Sequence, residues 1–565
     1  MQELFSGFAA EASFVVATGM HVSIIAANLV DWLNGPRLGI QDMGLNVFDI
    51  GVFVAFVGAV VGFSMVKSRK EKTSEDYFLA SRGLKWWLIG FSIVAANIST
   101  EQLVGMAGQA AGNVGLAVSG YQLLGAVTIV FVAILFLPKF LRAGIYTMPE
   151  YLEYRYNSTA RGIMAFYTMV IYVAVTITAV LYSGGLTLHK IFDMDITRAI
   201  WLVGVIAAVY TTWGGLKAVA WADLFLGSAL IAGGLITMLL GLMKIGGVSA
   251  FLQGSADKLH MVLPADHPEI PWTALVIGLW IPNFYYCGLN QFIVQRTLAA
   301  KSLKQGQLGI VFAAGLWLIV PFAIVMPGIM AAQLYPGQLA TSDEAYPMLI
   351  RNLVPAGLRG FMFAAICGAV MSSLASMLNS ACTIFTMDLY KRHVETDASQ
   401  KSLVVMGRIM TAVFVVVGCL IAPQLGHPRF KGVFHYIQEF QGFISPGILA
   451  AFVFGMIFKR APGAAGVAAL VLNPVIYGVL FVCFGDSPYF EKIGLSLGHI
   501  AFLNRMAITF GLLILVMGLI TYLKPLAEPR QMPVKEGINM KPAPSVLWLG
   551  GAVIAGVIAF FFIFR

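Results

Sequence analysis

Ser92-Ile93-Val94-Ala95-Ala96-Asn97-Ile98-Ser99-Thr100-Glu101-Gln102 opens as a smooth apolar helix and turns polar inside a run long enough to cross a bilayer. In hydrocarbon an unpaired peptide group costs several kcal/mol, so irregular backbone is tolerated only where it lines a cavity within protein. A second interruption is read at Trp280-Ile281-Pro282-Asn283-Phe284-Tyr285-Tyr286. Broken helices near the membrane midplane are the sequence pointer to the substrate and ion site of a transporter.

The rest of the chain supports a membrane reading. Of 565 residues, 59% are hydrophobic and 11% charged, against about 25% charged in soluble domains. Thirteen or fourteen apolar runs are expected. Residues 1–47 form an N-terminal extension, with 13–33 read as an interfacial helix on the outer face. A peripheral helix at 48–66 precedes a first set of five helices over 86–243. A second set of five covers 272–458, and three accessory helices fill 463–564. Five is odd, so the second set must lie upside down relative to the first, as an inverted repeat. Leu88-Ile89-Gly90-Phe91-Ser92-Ile93 and Val276-Ile277-Gly278-Leu279-Trp280-Ile281 open the two sets similarly.

The net charge is +9. About 24 of the 36 Lys and Arg fall on the inner loops and about 11 outside, so the charge sets topology and a nucleic-acid partner is excluded. The five cysteines lie in apolar spans without CxxC spacing, which indicates neither a disulfide framework nor a zinc site. The chain shows no GxxxxGK[ST] and no HExxH motif. Movement of cargo therefore draws on an ion gradient, where one charge crossing 100 mV supplies about 2.3 kcal/mol.

Two groups of residues carry the chemistry. Ser372 and Ser373 are adjacent hydroxyls in an apolar helix, and with carbonyls freed by the first break they would form a cage of neutral oxygens for a hard cation. Ser376 and Ser380 are read as bonding back to carbonyls one turn earlier. Gln102, Gln122, Asn283, Asn290, Gln291, Gln438 and Gln441 cluster on the broken helices and their neighbours, and amides that both donate and accept suit sugar or polyol hydroxyls. Taken singly, each amide reads as easily as interhelical glue. Glu101, Asp223 and Glu439 are acids at or near membrane depth, functional by default because burial is expensive; Asp223 is also readable as hydrated near the inner end of its helix. No arginine is read within the broken helices, which weakens a carboxylate cargo.

The chain resembles the solute:sodium symporter family, and within it the sodium/galactose and sodium/glucose cotransporters. The resemblance covers about residues 48–564. It rests on Ser74-Glu75-Asp76-Tyr77-Phe78-Leu79-Ala80, Ala95-Ala96-Asn97-Ile98-Ser99, Gly144-Ile145-Tyr146-Thr147-Met148-Pro149-Glu150, Gly214-Gly215-Leu216-Lys217-Ala218-Val219, Gln295-Arg296-Thr297-Leu298-Ala299-Ala300-Lys301, the run from Ser372 to Ser380, and Tyr436-Ile437-Gln438-Glu439. It implies an all-α, LeuT-like five-plus-five inverted repeat with one helix before and three after. It also implies a sodium site of Ala95, Ile98 and Ala369 carbonyls with Ser372 and Ser373 hydroxyls, and Asp223 on the sodium exit path. Tyr286 would be the inner gate, and Met106, Tyr121 and Phe434 the outer one.

Gln102, Asn283 and Gln438 match the family's sugar contacts. Three pocket positions depart from the galactose symporters, with Gln122 for a Glu, Gly125 for a Ser and Trp317 for a Lys. The resulting pocket is read as neutral, with Trp317 as an apolar face for a pyranose ring; a Trp317 turned to lipid or a neighbouring helix is the alternative. The expectation is a sodium-coupled importer of a neutral sugar or polyol, not an enzyme, in a bacterial inner membrane. Its partners would be sodium, the cargo and the lipid bilayer. The alternatives are a sodium symporter for an amino acid or organic anion, and a membrane solute sensor, for which the chain lacks a soluble output domain.

Overall fold

The computed structural model describes residues 47–68, 73–192, 194–355, 358–426, 433–485, 497–535 and 541–565. The expected interfacial helix at 13–33 lies outside the described residues. Among those described, the secondary structure is helical, with no strand. Helices suit this chain because each closes its backbone hydrogen bonds internally, the condition for crossing hydrocarbon.

In chain order, α1 is Val47–Ser68. The first set is α2 (Trp86–Asn97) with α3 (Gln102–Ala111), α4 (Gly115–Ala143), α5 (Ser158–His189), α6 (Ile196–Val209) and α7 (Gly215–Ile245). The second set is α8 (Ala274–Gly288) with α9 (Gln291–Leu298), α10 (Leu303–Leu334), a short connecting helix α11 (Ala345–Leu353), α12 (Leu358–Val394), α13 (Gln400–Gly426), and α14 (Val433–Gln441) with α15 (Ser445–Ile457). Accessory helices α16 (Gly463–Phe484), α17 (Phe502–Leu523) and α18 (Pro544–Ile563) follow. Nine of the described helices are continuous spans, two spans are bent pairs, and three shorter apolar helices complete the expected fourteen. The architecture is a five-plus-five inverted repeat, preceded by one helix and followed by three.

Small residues bring the elements together. A Cβ on Gly90 of α2 would lie 3.0 Å from the Gly309 carbonyl, and one on Gly309 of α10 would lie 2.8 Å from the Trp86 carbonyl. The two helices thus touch backbone to backbone. Gly215, with φ +51°, makes the turn between α6 and α7, a conformation that a side chain disfavours. At the basic face, Arg161 bonds Glu153 at 2.7 Å and Asp388 at 2.5 Å, and Thr147 donates to Asp388 at 2.9 Å. This network ties α5 to the end of α12.

Two expectations about breaks need correction. The first break falls where the sequence places it, and α2 and α3 meet at 58°. The second does not. Pro282 and Asn283 are helical, three and four residues into Trp280–Gly288. A wide turn upstream, closed by Leu279 N–H on the Ala274 carbonyl at 2.7 Å, leaves the proline in the first helical turn, where its missing N–H has no partner to lose. The chain breaks instead at Leu289 and Asn290, between α8 and α9. A third break separates α14 from α15 at 45°, in a stretch read as one helix over 433–458.

Candidate functional site

At the first break the helical ladder stops with Ile98 N–H on the Val94 carbonyl (2.7 Å) and resumes with Gln102 N–H on the Ser99 carbonyl (3.1 Å). The carbonyls of Ala95 to Ile98 fall in the gap. Among the described residues, the partner recorded on this group is the Ser373 hydroxyl, which donates to the Ala96 carbonyl at 3.4 Å. Ser372, one residue earlier on α12, donates to Asp223 Oδ1 at 2.5 Å. Both hydroxyls have placed their protons elsewhere, which leaves oxygen lone pairs to offer a cation.

Asp223 is fully buried on α7, so the hydrated reading of it fails. Its other oxygen accepts from Ser92 and pairs with Arg296 Nη2 at 3.2 Å. Arg296 belongs to α9, inside the second broken span, contrary to the sequence reading that no arginine does. Its guanidinium is consumed by Asp223, Ser92, Ser376 and the Phe292 carbonyl, and it does not line the pocket described next. A buried charge is tolerated when paired and hydrogen-bonded on all sides. Ser376 bonds back to the Ser372 carbonyl at 2.6 Å as expected, whereas Ser380 donates across to Gln295 Oε1 at 2.7 Å.

A central pocket opens beside the break. Its wall takes Asn97, Glu101 and Gln102 from the break, Tyr121, Gln122 and Gly125 from α4, Asn283, Tyr286 and Cys287 from α8, Trp317 from α10, and Phe434, Ile437, Gln438 and Gln441 from α14. Gln102, Gln122, Asn283, Trp317 and Gln438 are therefore brought together, while Asn290 and Gln291 of the amide set lie outside the lining. Trp317 is 1% exposed, and a Cβ at Gly125 would touch its ring at 3.4 Å and Asn283 Oδ1 at 3.9 Å. The lipid-facing alternative for Trp317 is excluded. Tyr286 accepts a hydrogen bond from Asn97 Nδ2 at 3.0 Å, under the pocket. On the other side Tyr121 and Phe434 pack edge to face at 4.9 Å, and Gln122 Nε2 lies 3.9 Å from Met106 Sδ.

The pocket also holds a carboxyl, that of Glu101, beside the exchanged positions Gln122 and Trp317. Glu101 Oε2, Gln102 Oε1, Asn283 Nδ2, Trp317 Nε1 and Gln438 Oε1 are buried without a protein partner. Buried polar atoms are nearly always satisfied, so five around one pocket suit a polar occupant. Glu439, the third acid read at membrane depth, does not share this role. It pairs with Arg505 at 2.9 Å and accepts from Tyr477 at 2.7 Å.

Sequence reasoning missed Glu101 as a wall residue and Arg296 as the partner of Asp223. The Glu101-Gln102 pair at the break was a usable signal for the first. The second is a contact across 73 positions of the chain, for which the sequence has no local sign.

This fold, with a polar pocket enclosed at a helix break, defines a multi-pass membrane transporter. The model of the sodium:solute symporter family matches residues 77–471. The sodium/glucose cotransporter of Vibrio parahaemolyticus is 41% identical over 462 residues, covering 76% of this chain and 84% of that one. The human sodium/myo-inositol cotransporter 2 is 34% identical over 467 residues, covering 75% and 68%. A solved Na+-coupled sialic acid symporter, in a substrate-bound outward-open state, superposes with a TM-score of 0.74 at 21% identity, covering 86% of this chain and 99% of that one, which shows the shared fold. The chain belongs to the sodium:solute symporter family and is a sodium-coupled solute symporter, not an enzyme.

Proposed function

We propose that the protein imports a neutral sugar or polyol with sodium by alternating access. The observation that carries this reading is the set of unpartnered amide and indole atoms on one pocket wall that holds no Lys, Arg or His. Amides match hydroxyls in both donor and acceptor sense. The unpartnered Glu101 Oε2 adds a carboxyl oxygen that suits a cargo hydroxyl. Trp317 offers a flat apolar face to a ring. The names of the glucose and myo-inositol relatives support the same class.

Sodium is held by the Ala95, Ile98 and Ala369 carbonyls and the Ser372 and Ser373 hydroxyls. Asp223 orients Ser372 and lies on the ion's way out. Met106, Tyr121 and Phe434 close the pocket from outside and Tyr286 from inside. The two repeats span 86–243 and 272–458, with 48–66 and 463–564 around them, and the protein resides in a bacterial inner membrane. Sodium and cargo each strengthen the binding of the other, because coupling is reciprocal.

Proteoliposomes with an imposed sodium gradient test this reading. Labelled D-glucose and myo-inositol are offered with unlabelled N-acetylglucosamine, proline or glucuronate as competitors. Uptake of a polyhydroxy compound that stops when choline replaces sodium is the expected result. Sodium-driven uptake of proline or glucuronate, with none of the neutral compounds accepted, overturns the reading.

A further inference from the structure

The third break is held by a residue outside the ten-helix core. Asn473 of α16 is buried. Its Oδ1 accepts from Gly447 N–H at 3.0 Å, and its Nδ2 donates to the Gly442 carbonyl at 3.4 Å and to the Phe443 carbonyl. Gly447 is the third residue of α15, where the N–H has no partner within the helix, and Gly442 and Phe443 follow the end of α14, where carbonyls are orphaned likewise. One amide therefore satisfies both edges of the gap. A Cβ on Gly442 would run into the Tyr477 ring and one on Gly447 would lie 2.6 Å from Asn473 Cβ, so both glycines are needed for this approach. One turn along α16, Tyr477 donates to Glu439 of α14, which Arg505 of α17 pairs with from a second side.

We infer that Asn473 is the positioning residue that sets the angle of α14, and that α16 and α17 are the frame against which α14 moves as the outer lid of the pocket. The inference rests on the assignment of Phe434 and Gln438 to the gate and the cargo site. α14 carries Phe434, Ile437, Gln438 and Gln441 into the pocket and joins α15 only through Gly442, Phe443 and Ile444. Between these residues the bonds tighten to Gly442 N–H on Glu439, Phe443 N–H on Phe440 and Ile444 N–H on Gln441, at 3.1 to 3.2 Å. Such a joint has no continuous helical ladder to resist bending. Asn473 supplies the resistance. Without its side chain, the lid leaves its closed position more often, while the sodium cage at the first break is untouched.

The test places Ile437→Cys as a reporter in proteins with Asn473, N473A or N473D. Alkylation by an impermeant maleimide is measured in choline medium and corrected for the native cysteines. N473D keeps the acceptor for Gly447 and loses both donors. Alkylation at least fivefold faster in N473A, and faster in N473D, is expected, with radioactive-sodium binding within twofold of the parent. The KM for D-glucose or myo-inositol, whichever the parent concentrates, rises about tenfold. An unchanged alkylation rate in both variants overturns the inference, as does loss of sodium binding in both, which would mark Asn473 as a general fold residue. The accessibility arm uses no sugar. If the parent concentrates neither compound, the proposed cargo fails while this arm still decides the role of Asn473.

Discussion

The breaks at α2/α3 and α8/α9 occupy equivalent places in the two repeats and are finished differently. At α8/α9 the protein completes itself. Tyr172 of α5 donates to Asn290 Oδ1 and accepts Phe292 N–H at 3.2 Å, so one phenol bridges the gap. At α2/α3 the gap is left open. Asn97 Oδ1, Glu101 Oε2 and Gln102 Oε1 have no protein partner there, and the freed carbonyls meet one hydroxyl. Symmetry of fold therefore does not carry symmetry of use. The first break keeps its polar groups in reserve, whereas its counterpart spends them on structure.

Four measurements break or sharpen that contrast. The largest effect is expected at the open break. Ser372→Ala with Ser373→Ala removes both hydroxyls and should cut sodium-driven uptake by a hundredfold or more in proteoliposomes, with the protein still folded in detergent. Undiminished uptake would refute the cage. Next, Gln438→Ala should raise the sugar KM about tenfold and leave sodium binding without sugar unchanged, since its unpartnered Oε1 lines the pocket and has no part in the proposed sodium cage; an equal loss of both would make Gln438 structural. At the closed break, Tyr172→Phe should cost stability rather than coupling. About 1 kcal/mol is expected for bonds of this kind within a membrane, read as a lower denaturation midpoint with sodium dependence intact. A tenfold change in sodium activation would erase the distinction between the two breaks.

The smallest effect concerns the outer edge of the lid. Asp343, in the loop before α11, accepts from Val433 N–H at 3.2 Å. Burial pushes its carboxyl up to about 6, with Glu344 adding to the rise and the Val433 bond opposing it. The ordinary value is about 4. A raised acid favours the arrangement that buries it when protonated, so the extra stability of the closed lid is complete below about pH 4 and is lost as pH rises through 6. The sugar KM should be two- to threefold lower at pH 5.5 than at pH 7.5, and D343N should remove the difference. A pH dependence that survives in D343N assigns it to another group.

Much of this was legible in the chain. The polar run from Asn97 to Gln102 located the open break, because no continuous helix would bury those residues in lipid without use. The amides of the pocket and the serine pair were legible for the same reason. The break at Leu289 and Asn290 was not, since Pro282 is a stronger local signal and the wide turn that absorbs it has no sequence mark. The break after Gln441 was hidden because its partner, Asn473, arrives from 30 residues further on. Arg296 misled in the other direction. Its pairing with Asp223 is purely tertiary, so its position in the sequence said nothing of its use.

The contact between Gly125 and Trp317 has a practical consequence for anyone reshaping what this protein carries. A methyl at 125 would meet the indole at 3.4 Å, an ordinary van der Waals contact, so an alanine fits there with Trp317 in place. Shrinking residue 317, by contrast, opens a hollow beside position 125 that only a bulkier residue there would fill. Libraries that randomise one site at a time reach small residues at 125, whereas a smaller residue at 317 with added bulk at 125 needs paired mutagenesis.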